Sequence, residues 1–141
     1  MNLTPHFTLD EFIISQTAAR EGIDNTPDER TTATLKYTAT IMEDIRSLFG
    51  RPIVISSGYR SPALNKRVKG AKNSDHLTGS AVDFTVPGVP LREVIDRIIG
   101  STIQFKQIIH EFDSWVHISV PRGLNTRQAL IIDDNGTRQY K

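Results

Sequence analysis

A histidine and an aspartate lie seven residues apart in Ser74-Asp75-His76-Leu77-Thr78-Gly79-Ser80-Ala81-Val82-Asp83, and a second histidine follows in Trp115-Val116-His117-Ile118. Imidazole nitrogens and carboxylate oxygens are zinc-type donors. Three of them match a catalytic site, which leaves a fourth position to water or substrate, whereas structural zinc sites close with four protein ligands, often cysteines. The chain contains no cysteine. The spacing also has structural sense: His76 ends a loop, the chain crosses at Gly79, and Asp83 lies on the strand beyond, so one corner can deliver both donors to one point. Strand alternation puts His117 on the face opposite Val116, Ile118 and Val120. A lone histidine in a strand is more often a surface or hydrogen-bonded group, and it is the combination of three donors that carries the metal reading.

The elements that must position these residues can be read from caps and periodicity. Thr8-Leu9-Asp10-Glu11 and Thr26-Pro27-Asp28-Glu29 each offer a hydroxyl N-cap with glutamate three residues on, and the second adds proline at the first helical position. The first opens a short helix over about 9–16. The second opens a long one in which Leu35, Ile41, Met42, Ile45, Leu48 and Phe49 recur at helical spacing up to Gly50, with an apolar face that should pack on a sheet. Ile53 to Ser57 has the β-branched character of a strand, and a turn follows at Gly58. Tyr59 to Asn73 reads as a long functional loop with one helical turn, carrying Arg60, Lys66, Arg67, Lys69 and Lys72 and no acid.

Ala81 to Val86 is a second strand with Asp83 facing away from the Phe84 core side. Leu91, Val94, Ile95 and Ile98 mark an amphipathic scaffold helix that stops at Gly100. Gln107 to Phe112 and Trp115 to Val120 read as a hairpin around Asp113-Ser114. Ala129 to Ile132 and Thr137 to Tyr140 read as another, with Asn135-Gly136 supplying positive φ angles. This order implies an α+β fold, a central antiparallel sheet flanked by helices.

The 141 residues, 38% of them hydrophobic, suffice for one core and one domain over 1–141. A net charge of +1 gives no global attraction to nucleic acid or anionic membrane, so any electrostatic partner must be met locally. Met1 to Phe7 lacks a basic-then-apolar leader, and no run approaches a membrane span, so cytosolic synthesis without a signal peptide is expected.

Ser74-x-His76-x-x-Gly79-x-Ala81-x-Asp83, followed by Trp115-Val116-His117, resembles the D-alanyl-D-alanine carboxypeptidase-like zinc peptidases. That family includes bacterial peptidoglycan carboxypeptidases and phage L-alanyl-D-glutamate endopeptidases. The likeness extends to His6-Phe7-Thr8-Leu9-x-Glu11-Phe12 and to Ser56-Ser57-Gly58-Tyr59-Arg60-Ser61 with Asn65, covering most of residues 6 to 120. It implies a fold of the hedgehog and D,D-peptidase type and one zinc ion held by His76, Asp83 and His117. It further implies that Arg60 supports the substrate or the developing oxyanion, with Ser74 and the Gly58-Tyr59 turn shaping the same cleft.

In the family the general base is commonly an acid three positions ahead of the last ligand. Here that position is Ser114, which leaves His110, Glu111 and Asp113 as candidates. With a two-residue turn at Asp113-Ser114, His110 lies opposite His117. With a three-residue loop of Phe112-Asp113-Ser114, Glu111 pairs with Trp115 and shares the His117 face. Glu111 is favoured because a carboxylate suits the role, while Asp113 at the tip also reads as an ordinary turn residue.

The resemblance thus implies a zinc metallopeptidase that hydrolyses peptidoglycan stem peptides, as a carboxypeptidase or an endopeptidase, and a monomer is expected. A phage or prophage lytic enzyme of this kind would wait in the cytosol and act at the wall or periplasm once released. The alternative is a non-catalytic zinc-containing binding or virion module of the same fold, for which Ser114 is the argument. A nucleic-acid module is disfavoured, because no aromatics interleave with the basic loop.

Overall fold

A computed structural model describes residues 1–123 and 126–141. Strands β1 (Asn2–Thr4) and β2 (Phe7–Thr8) form a small ribbon. Thr8 then caps helix α1 (Leu9–Ile13) in a capping box with Glu11. The chain turns extended at Ile14, and the Ser15 hydroxyl accepts from Ala18 N–H to start a separate helix, α2 (Gln16–Glu21), closed by Gly22 in the left-handed region. The single helix expected over 9–16 is therefore two, because the Ser15 cap restarts the chain in a new direction.

Helix α3 (Glu29–Phe49) buries Leu35, Thr38, Ala39, Met42, Ile45 and Phe49 along one stripe and ends at Gly50 with φ 61°. Its N-cap is Asp28 and not Thr26. The Asp28 carboxylate accepts Thr31 N–H at 2.7 Å, while Thr26 N–H is already taken by Asp24 at 2.9 Å.

Six strands make the main sheet: β3 (Val54–Ser57), β4 (Ala81–Thr85), β5 (Gln107–Glu111), β6 (Trp115–Ser119), β7 (Gln128–Asp133) and β8 (Gly136–Gln139), in the order β3-β4-β6-β5-β7-β8. The sheet is mixed: its strands β3, β4, β6 and β5 pair antiparallel, as expected, and β7 runs parallel to β5. The cause lies in the connection. Strand β6 already has β4 on its other edge, so β7 takes the open edge of β5, beginning at Gln128. Both Ser119 and Gln128 pair with Gln107. Lys106 is held at the crossing, donating its N–H to Ser119 C=O and accepting from Gln128 N–H.

In the β7–β8 hairpin only Gly136 (φ 105°) takes a positive φ, and the turn is centred on Asp134 and Asn135. Helix α4 (Pro62–Arg67), capped by Ser61, occupies the basic loop, and helix α5 (Leu91–Ile99) precedes β5.

Val82 and Phe84 on β4, Ile108 on β5, and Val116 and Ile118 on β6 share one buried cluster with the apolar sides of α3 and α5. Burying each such side chain stabilises by about 1.5–3 kcal/mol. The opposite sheet face carries Asp83, directly across from His117.

Candidate functional site

The site is assembled on that opposite face from two mounts. The first is the β4–β6 pair. Asp83 and His117 are register partners, so antiparallel pairing alone brings them together, with His117 Nδ1 2.9 Å from Asp83 Oδ1. The second is a 3-10 turn at Asp75–Thr78. Ser74 caps it by accepting His76 N–H, and Gly79 ends it with φ 78°. A Cβ on Gly79 would sit 3.0 Å from the Leu35 side chain, so both the backbone angle and the packing against α3 call for glycine. Thr38 donates its hydroxyl to Gly79 C=O at 2.7 Å, and Lys106 pairs with Asp75 at 2.9 Å, tying the turn to α3 and to the start of β5.

His76 is almost fully buried and its Nδ1 lies 2.6 Å from Gly58 C=O. That contact fixes Nδ1 as the protonated nitrogen and leaves Nε2 as the donor, 3.3 Å from Asp83 Oδ1. The donor atoms of His76, Asp83 and His117 all lie within 4.8 Å of one another. The set fits a zinc ion: tetrahedral coordination with bonds of about 2.0–2.1 Å spaces ligand atoms by about 3.3 Å. Burial pushes the Asp83 carboxyl up, but the adjoining His117 and His76 imidazoles outweigh it and hold the group well below the usual carboxylate range. An ionised carboxylate is the form a cation needs.

The β5–β6 hairpin has the three-residue connection, with Glu111 opposite Trp115 and Ile109 opposite His117. Glu111 therefore stands on the His117 face, its Oε1 3.9 Å from His117 Nδ1. Burial and the neighbouring Asp83 charge push its carboxyl up, against the pull of the two imidazoles. His110 points to the other face, where its Nε2 lies 3.6 Å from the highly exposed Asp113. Asp113 is thus a tip residue paired away from the three donors. Ser114 donates its hydroxyl to Phe112 C=O within the turn.

Arg60 is half-buried beside this cluster. One guanidinium nitrogen donates to Ser74 Oγ at 3.4 Å, Nε is buried without a partner, and no carboxylate among the described residues lies in salt-bridge range. Burial lowers its pKa and the Asp83 and Glu111 charges raise it, and the group stays cationic. Tyr59, Arg60 and Asp83 line the same cavity.

Asn25 was not singled out by the sequence, yet it joins the cleft's parts. Its amide donates to Ile13 C=O and Tyr59 C=O and accepts Ser61 N–H at 2.7 Å. A polar residue outside any helix, between Gly22 and the α3 cap, was the available signal. Asn65 has a related task in the basic loop, donating to Ala71 C=O at 3.0 Å. No helix among the described residues is long and apolar enough to cross a membrane.

Comparison with known proteins adds one match. The family model described as Peptidase M15 covers residues 5–119, a span that contains the three donors, Arg60 and Glu111. No curated protein matches the chain.

Proposed function

The chain belongs to the M15 family of zinc peptidases resembling D-alanyl-D-alanine carboxypeptidases, and from that premise we propose that it hydrolyses peptide bonds in peptidoglycan stems. The observation that carries this reading is the convergence of His76, Asp83 and His117 within 4.8 Å, inside the matched span, with a second carboxylate standing beside them. In the proposal these three side chains hold one zinc ion, with His76 using Nε2 and His117 using Nδ1. A bound zinc ion supplies Lewis-acid polarisation of a carbonyl and brings a water's pKa to about 7.

The protein's own residues do the rest. Glu111 accepts the proton of the attacking water and returns it to the departing amine, a role its location on the His117 face supports and Asp113's tip position does not. A carboxyl raised by burial retains enough basicity to receive that proton. Arg60 offers guanidinium donors, free of any carboxylate among the described residues, to a substrate carboxylate or to the developing oxyanion. Ser74 steadies Arg60 by accepting one of its N–H groups, and it also caps the turn that carries His76. Tyr59 contributes to the cleft wall. The basic run from Arg60 to Lys72 favours substrates bearing free carboxylates, as stems and anionic walls do.

A non-catalytic zinc module is the second reading, favoured by Ser114 standing where an acid is common. Turnover on purified peptidoglycan separates the two. Release of new amino groups that stops with chelator and returns with zinc supports the peptidase. Wall binding with zinc but no release supports the module.

A further inference from the structure

A second cavity, of about 340 Å³, lies against the turn that carries His76, where Leu77 and Thr78 meet Arg30, Thr31 and Thr34 of α3 and Arg122 from the segment after β6. It shares no lining residue with the cleft beside Asp83 and Arg60. Its lining is polar apart from Leu77, with two arginines and no acid. The volume falls within the usual range for small-ligand sites.

Both arginines are exposed, and neither forms an ion pair among the described residues. The acids of the two flanking elements are engaged elsewhere or stand outside the lining. Asp28 caps α3 by accepting Thr31 N–H at 2.7 Å, Asp75 pairs with Lys106 at 2.9 Å, and Glu29 does not face the cavity. The Asp28 carboxylate does feel the Arg30 charge, so Arg122 is the less compensated of the two cations. Because Asp28 already occupies the helix N-terminus, the site is built from side chains and not from the helix dipole.

Arg122 is held in position. Val120 N–H donates to Ser80 C=O at 2.8 Å, and one Arg122 guanidinium nitrogen donates to the fully buried Ser80 hydroxyl at 3.3 Å. Ser80 Oγ lies 2.8 Å from Thr78 Oγ1, and Thr78 donates to Asp75 C=O at 3.2 Å. On α3, Thr34 donates to Arg30 C=O at 3.3 Å. Hydroxyl donors usually reach their acceptors within about 2.5–3.0 Å, so the oxygens of an anion can compete for both threonines. The type of anion follows from the donors. A carboxylate is satisfied by a single guanidinium fork, whereas a phosphate-type group presents more oxygens and suits two guanidiniums from separate segments with hydroxyls alongside.

We propose that this cavity binds a phosphate-type oxyanion, with Arg30 and Arg122 as charged donors and Thr34 and Thr78 as hydroxyl donors. The site is independent of the peptidase reading, since none of these residues belongs to the metal cluster. Free phosphate and a phosphodiester group of a polymer share the chemistry it recognises.

The test is calorimetric titration of the zinc-loaded full chain, at fixed ionic strength, with inorganic phosphate, a glycerol-phosphate oligomer and acetate. One phosphate-type ligand should bind per chain, and acetate should bind more weakly. Arg30→Gln and Arg122→Gln should each weaken that binding by about tenfold, the worth of one hydrogen bond to a charged group. The double variant should lose it, with zinc content unchanged. Tighter binding of the oligomer assigns the source to a phosphodiester polymer, and tighter binding of phosphate to the free ion. Binding of neither phosphate probe, acetate binding as tight as phosphate, or undiminished binding in the double variant overturns the proposal, the last because the anion then sits elsewhere, at the metal cluster or Arg60. If the double variant does not fold, Arg122→Lys decides, since it keeps the charge and removes the fork: weakened phosphate binding supports the site and unchanged affinity overturns it.

Discussion

The β5–β6 hairpin places an equally buried histidine near a carboxylate on each of its faces, and the two settings differ in how that carboxylate is held. On one face buried His117 stands with Glu111 of the same hairpin, and Asp83, 2.9 Å from His117, and His76 are brought in from other parts of the chain. On the other, His110 lies 3.6 Å from an Asp113 whose side chain is 92% exposed. The first pair is fixed by strand register and by a capped turn that cannot relax without disturbing α3. The second depends on a solvated tip, where an ion pair is worth little. A site capable of chemistry therefore requires convergence from separate, packed elements, and proximity of a histidine to an acid is not enough.

The sharpest way to break this comparison is to remove one histidine from each face. His117→Ala should abolish stoichiometric zinc binding and with it any hydrolysis, while His110→Ala should keep full zinc content, both read by elemental analysis of purified protein. Next in size is Glu111→Gln, which keeps shape while removing proton acceptance. Zinc should stay bound and turnover should fall by about 10²–10⁴-fold. Arg60→Ala follows: zinc binding and folding persist, and kcat/KM drops by about 10²-fold, comparable to loss of one oxyanion donor. Wild-type efficiency in that variant, or its failure to fold, would remove Arg60 from the substrate-binding role. Smallest is Asp113→Asn, which should change turnover less than a few-fold and stability by no more than about 0.5 kcal/mol, as for other exposed positions. A large loss there would move the base to the tip and reverse the ranking of the two faces.

Much of the favoured face was legible in sequence because it depends on short-range signals. The His76–Gly79–Asp83 corner follows from a capped loop, a left-handed glycine and a strand. The amphipathic spacing of α5 and the Gly50 terminus of α3 are equally local. What stayed hidden depends on backbone choices that residue types do not dictate. The length of the β5–β6 loop was open because Phe112 and Asp113 adopt φ of 52° and 54°, angles that non-glycine residues seldom take. Only with that loop in place does Glu111 share a face with His117. The parallel placement of β7 was likewise invisible, since it is set by which edge of β5 remained open after β4 and β6 had paired. Asn25 reads in sequence as one more polar connection residue, and its three bonds appear only when three distant segments meet.

The claim that one face of the hairpin is the metal centre and the other is not can be tested most directly by zinc-edge anomalous diffraction from crystals of the zinc-loaded protein. The account predicts a single peak bonded to His76 Nε2, Asp83 and His117 Nδ1, with Glu111 beside it but not bonded. A peak on His110 and Asp113, or none near the three donors at full zinc loading, would contradict it.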